Sequence, residues 1–207
     1  MQALYISNIN YDIAKDKIDE LIKYNSKFPF LYLIKGKILE NSFYSDAYEL
    51  AKKEFLIAID LNHDFLEALI ELGFLELKNR VGKSRTSKEI VKTAIAYFEK
   101  ALSIDSNNHR SHHGLAQALS AQSKDINYFN NKAEKHTKAN LANEHFEKAY
   151  HTSESLTPTQ KHYNAINAFN HALNYNTNLR DYREAYRVCD SGLTFEPNDN
   201  KLRKLKI

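Results

Sequence analysis

The residues of this chain that could do chemistry are a few histidines, one cysteine and two clusters of lysine and arginine. His109, His112 and His113 lie close together, and a spacing of three puts His109 and His112 on one helix face. Two imidazoles so placed could begin a metal site, but zinc needs three or four ligands and outer-shell support. No HExxH run and no carboxylate at a matching spacing accompanies them, so the expectation is no metal and no cofactor. Cys189 is the single cysteine. As a nucleophile it would need a paired base and an electropositive setting. His171 is a candidate neighbour, yet a lone cysteine on an apolar helix face is expected to serve as a small hydrophobe. Arg80, Lys83, Arg85, Lys88 and Lys92 surround one connector, and Lys201, Arg203, Lys204 and Lys206 end the chain. These read as solvated surface. The alternative is an acidic or RNA partner held by the connector 80–92, but no stacking-aromatic code or nucleic-acid motif accompanies it. Phosphate-binding glycine loops, nucleophile elbows and paired carboxylates are absent, so no catalytic residue is assigned and no enzyme is expected.

What must position these groups is a recurring helical unit. Ala51, Phe55 and Ala58 form a small–large–small pattern at spacings of four and three. It returns at Ala94, Phe98, Ala101 and at Ala142, Phe146, Ala149, and more weakly at Ala185, Cys189, Gly192. Such spacing places all three residues on one helix face, where small residues admit a neighbouring helix and the large one fills the gap. Equivalent positions are separated by 43 residues (58 to 101), 48 (101 to 149) and 43 (149 to 192). A repeated packing unit implies stacked helix pairs, an architecture that usually binds rather than reacts.

The bulk composition agrees. The 207 residues are 43% hydrophobic and 27% charged, with only 5 Gly and 3 Pro, which suits helices with few turns. A net charge of +3 is too small to imply nucleic acid by itself. One cysteine excludes an internal disulfide framework. No apolar run approaches the roughly 20 residues of a membrane span, and the first residues lack a signal-peptide pattern. A cytoplasmic setting follows as an expectation.

Helices are expected at about 10–25, 30–41, 45–61, 64–79, 86–105, 109–122, 125–152, 158–176, 179–195 and 198–206. Thr157, Pro158 and Gln160 combine an N-cap, a first-turn proline and a capping box, and Thr86 with Glu89 forms another box. Ser45 with Asp46, and Asn178 with Asp181, are further helix starts. Lys124–Ala139 keeps Ile126, Phe129 and Ala133 at helical spacing and should lengthen the helix carrying Phe146. The carboxylates read as scattered over helix surfaces.

The helices before each alanine pattern carry partner signals: Tyr32, Gly36 and Leu39; Leu69, Leu72 and Gly73; His112, Leu115 and Ala116. Stops follow the pattern at Ile59–Asn62, Leu102–Asp105 and Phe195–Asn198. Together these residues resemble the tetratricopeptide repeat (TPR) family, over about residues 28–200 and three to four repeats. The family period is about 34 residues, shorter than the spacing here, and the extra residues fall between the two helices of each repeat. HEAT and armadillo arrays have longer periods but lack the Ala–Phe–Ala signature, and Sel-like repeats are richer in glycine. The resemblance implies an all-α solenoid of antiparallel helix pairs forming a TPR-like right-handed superhelix. The whole chain, 1–207, is then one domain, with leading helices in 1–28, repeats in 29–200 and a basic end at 201–207.

The resemblance also implies that the first helices of the repeats line a concave groove. Leu33, Ile70, Phe74 and Leu77 would make its N-terminal end apolar. His113 and Gln117, with Arg110, then Asn170 and Asn174, with Asn167, would make its C-terminal end polar. The expected partner is a protein or peptide, an amphipathic helix or an apolar segment, held by an adaptor, chaperone or assembly scaffold. A homodimer is the other candidate occupant, and the chain's own N-terminal helix or the 125–152 helix could instead cover the apolar end.

Overall fold

Helices form where the apolar periodicity runs, and short polar turns end them. The structure is a computed structural model that describes residues 2–42, 44–79, 87–124, 132–152 and 155–206. Among them are ten α-helices: α1 Gln2–Tyr24, α2 Pro29–Glu40, α3 Ala47–Leu61, α4 Leu66–Asn79, α5 Ser87–Ile104, α6 His109–Lys124, α7 Lys132–Lys148, α8 Pro158–Asn174, α9 Tyr182–Phe195 and α10 Asn200–Leu205. A π-helical turn, Tyr175–Leu179, extends α8. No β-strand occurs among the described residues, and none of their helices is long and apolar enough to cross a membrane.

One turn recurs. The Phe28 N–H donates to Asn25 O, Phe65 to Asn62 O, Asn108 to Asp105 O and Asp199 to Glu196 O, at 3.0–3.2 Å. Its first residue is Asn, Asp or Glu. Where that residue is Asn62 or Asp105, the side chain also accepts the N–H two residues on, at 3.1 Å, the local bonding that makes Asn and Asp good turn formers. The expected capping box at Thr157 and Gln160 is complete, with Pro158 in the first turn. Asp181 rather than Asn178 caps α9, accepting from the Glu184 N–H. Asp46 stands at the start of α3 without a side-chain cap bond. The Thr86 box, the connector basics Arg80, Lys83 and Arg85, and Ile126 with Phe129 lie outside the described residues.

The chain forms two compact units, Met1–Lys83 and Ser84–Ile207. In the first, α2 packs against α1 and α3, and α3 against α4. In the second, α5 through α9 pack each against the next, with α10 closing on α8 and α9. The alanine pattern is the core of both. Ala51, Phe55, Ala58, Ala94, Phe98, Ala101, Ala142 and Ala149 have no exposure, and Phe146 has 1%. A bulky ring on one helix is met by a glycine on a neighbouring helix. A Cβ added at Gly36 would fall 2.6 Å from Cδ1 of Phe55, and one at Gly114 would fall 2.7 Å from Cδ1 of Phe98. Phe55 thus seats on the helix before its own and Phe98 on the helix after. In the weaker fourth copy, Cys189 joins Ala165, Ala168, Ala172, Val188 and Leu202 in an apolar cluster.

The carboxylates correct the surface reading. Glu54, Glu71 and Glu76 are buried. Each is held by a lysine: Lys35 to Glu54 at 2.9 Å, Lys37 to Glu71 at 2.9 Å and Lys52 to Glu76 at 2.6 Å. Lys35 also reaches Asp19 of α1 at 2.9 Å, so it ties three helices together. A buried carboxylate is tolerated when paired and hydrogen-bonded. Tyr182, an aromatic residue at the start of α9 that could have been expected to pack, is 64% exposed. Asp181 already ends the connector, and Tyr182 falls on the outer side of α9.

Candidate functional site

In the first unit the site is the surface of α4. The sequence from Ala68 to Leu77 is apolar on nearly every side, and Ala68, Leu69, Ile70, Leu72, Gly73 and Leu75 are buried. Phe74 and Leu77, four and seven residues after Ile70, are half-buried. Leu33 of α2 is 5% exposed and Ile70 2%. Of the four apolar groove residues, Leu33 and Ile70 are therefore internal packing in the folded chain, while Phe74 and Leu77 retain accessible surface.

In the second unit, α8 carries Asn164, Asn167, His171, Asn174 and Asn178 at alternating spacings of three and four, and all five are buried. That spacing draws one stripe along the helix. The stripe reads main-chain groups of its neighbours. The amide of Asn164 exchanges two bonds with the backbone of His151, at 2.9 and 3.0 Å. Asn167 Nδ2 donates to Phe146 O, and Asn174 Nδ2 to Ala139 O, both at 2.9 Å. Asn178, beyond the start of the π-helical turn, donates to Ser120 O of α6 at 3.2 Å. Asn178 is buried within the π-helical turn Tyr175–Leu179.

Imidazoles continue this layer. Asn167 Oδ1 lies 2.6 Å from His113 Nδ1, and Gln117 Nε2 lies 2.7 Å from His113 Nε2. Because Asn167 Nδ2 is already donating to Phe146 O, its oxygen accepts, which fixes the His113 proton on Nδ1 and leaves Nε2 to accept from Gln117. Burial pushes His113 down to about 4. His112 Nε2 lies 3.0 Å from Ser106 O, a pure acceptor, so Nε2 carries its proton. His112 Nδ1 must then accept from His145 Nδ1 at 2.9 Å. Burial, with His112 and Lys148 nearby, lowers His145 to about 4. The predicted polar groove residues thus divide. His113 and Asn174 are internal, while Gln117 and Asn170 are half-buried. Asn170 Nδ2 donates back to Ile166 O of its own helix at 3.1 Å.

The α7–α8 corner departs from the rest. Here the four-residue turn is replaced by the longer connector 149–157, and two open cavities flank it, of about 440 and 530 Å³. Both are lined by Glu147, Tyr150 and Thr152. The smaller reaches His171, which has no exposed surface and no hydrogen-bond partner on either ring nitrogen. His171 stacks on Phe146 and Tyr175, with centroids 5.3 and 5.1 Å away. Burial, aided by Arg187, lowers its pKa to about 4, so the ring is neutral. His145, Glu147, Tyr150 and His151 were not singled out by spacing. The register of Ala142–Phe146–Ala149 fixes their places on α7 and the corner after it, but only the pairing of α6 with α7 reveals their partners.

Other candidate chemistry is accounted for by packing. Burial raises the Cys189 thiol, which disfavours a thiolate nucleophile. No group of three or more His, Cys, Asp or Glu among the described residues could hold a metal ion. His109 lies against the His151 ring, centroids 4.1 Å apart, rather than forming a ligand pair with His112.

These features define a helical-repeat protein, and solved structures identify the type. The chain has the fold of tetratricopeptide repeat proteins. TTC0263, a thermophilic TPR protein of Thermus thermophilus, superposes with a TM-score of 0.65 and 14% identity, over 94% of this chain and 87% of that one. YrrB, described as a TPR protein with an unusual peptide-binding site, matches with a TM-score of 0.56 and 16% identity, over 98% of this chain and 87% of its own. No family model and no curated protein matches the sequence.

Proposed function

We propose that this protein is a non-catalytic protein-interaction module that holds an amphipathic helix or apolar peptide segment of another protein. The observation that carries this reading is the half-covered Phe74–Leu77 pair on α4, on a helix already apolar around most of its circumference. An apolar helix face that its own fold leaves partly open is where a partner's apolar side chains gain most from burial. The fold supports the reading, and YrrB, which shares it, is a peptide binder by its description. In this account the protein works by rigid presentation of side chains, as an adaptor, chaperone or assembly scaffold inside the cell. A photo-crosslinking residue at Leu77 should capture a discrete partner in the native cell, whereas the same residue at exposed Lys53 should not. Equal labelling from both positions would contradict the proposal.

A further inference from the structure

The orphaned imidazole at the α7–α8 corner marks a second site, in a different unit from α4. His171 is fully buried, and neither ring nitrogen has a hydrogen-bond partner. Leaving such groups unpaired in the interior costs free energy that nearly all folded proteins avoid. Glu147 Oε1 is 3.8 Å from Nε2, beyond hydrogen-bond reach, and Arg187 lines the same cleft. His171 and Glu147 both line this cavity of about 440 Å³, so the missing partner has a route in. The remaining walls are amphipathic. The Tyr150 and Phe195 rings, 6.4 Å apart between centroids and tilted by 28°, combine with Leu156 to give apolar cover, and Ser191 lies at the rim.

We infer that this cleft is an anchor site for a phenol ring whose hydroxyl bridges His171 and Glu147. A hydroxyl is the smallest group that both accepts and donates. Placed beside the 3.8 Å gap, it accepts from the imidazole N–H and donates to the carboxylate. An ether can accept but cannot donate, and a bare ring does neither. The aromatic walls take the ring by offset or edge contact.

The test is an NMR titration of the full chain that follows the His171 ring nitrogens, with p-cresol, 4-methylanisole, toluene and N-acetyl-tyrosinamide as probes. Expected is a shift of the His171 nitrogens with p-cresol, and binding at least about tenfold tighter than for 4-methylanisole or toluene. Ser191→Phe, at an exposed position on the rim, should block p-cresol without disturbing the fold. His171→Phe should narrow the gap in affinity between p-cresol and toluene, leaving only the bond to Glu147. N-acetyl-tyrosinamide binding as tightly as p-cresol supports the site with a peptide tyrosine as its ligand, and weaker binding supports it with a free phenol. The inference is overturned by equal affinity for p-cresol and toluene, by unmoved His171 signals, by Ser191→Phe binding unchanged, or by a long-lived water on the ring that no probe displaces. None of these outcomes involves α4, so failure here and failure of the groove are separate results.

Discussion

His113, His145 and His171 are each held near 4 because burial disfavours the imidazolium. An unfolded histidine titrates near 6.5. Between these values the unfolded chain binds protons that the folded chain refuses. Stability is therefore complete above about pH 6.5 and is lost as pH falls towards about 4. For His113 alone the difference amounts to roughly 3 kcal/mol. Urea midpoints measured through this window should fall steadily, and His113→Asn should flatten the slope. A midpoint independent of pH from 7 to 4.5 would contradict the neutral-imidazole layer. In the first unit the corresponding residue is Lys52. It lies 2.6 Å from Glu76, which is 2% exposed and also accepts from Tyr48 at 2.9 Å. Lys52→Met strands that carboxylate and should cost about 3 kcal/mol, with Glu76→Gln in the same chain recovering part of it. Additive losses in the double variant would show that the pair is not coupled.

Between helices, the decisive contacts are ring against glycine. Gly114→Ala would push a methyl into the Phe98 ring, 2.7 Å from Cδ1. Overpacking of this kind costs ~1–3 kcal/mol. Phe98→Ala should cost ~3–5 kcal/mol, because the ring has no exposed surface. Phe98→Leu should restore part of the loss in the Gly114→Ala background, a coupling that thermal melts of the four variants would measure. This level of organisation was largely readable from spacing. A four-plus-three pattern names a buried face whatever helix covers it, and the alanines and phenylalanines of the three full copies are buried as expected. What spacing misread was polarity. Asn167 and Asn174, expected to line an open groove, belong to a buried three-four stripe with Asn164, His171 and Asn178, whereas asparagines on a helix face normally signal solvent. Asn167, Asn174 and Asn178 pair with main-chain carbonyls of α6 and α7, and Asn164 with the backbone of His151, partners that leave no trace in side-chain type. Glu54, Glu71 and Glu76 were misread similarly, because each neutralising lysine lies on another helix, 19 to 34 positions away. Half of the expected groove, Leu33, Ile70, His113 and Asn174, consists of such inward residues.

At the scale of the whole molecule, the two units bury polar groups by different chemistry. The first uses carboxylates paired with lysines, and the second uses amides and neutral imidazoles. Both are built on the same apolar alanine pattern, which holds helices together and says nothing about a ligand. Function in this account rests on the surface the pattern leaves open, chiefly Phe74 and Leu77. Phe74→Glu is therefore the most direct test of the central claim. Tagged wild-type and Phe74→Glu proteins would be captured side by side from the native cell, with circular dichroism establishing that both are helical and fold to the same extent. The account predicts that the folded variant loses at least one protein retained by wild type, and that Tyr182→Glu, altered at an exposed position of α9, keeps it. A folded Phe74→Glu protein that retains every wild-type partner would contradict the claim.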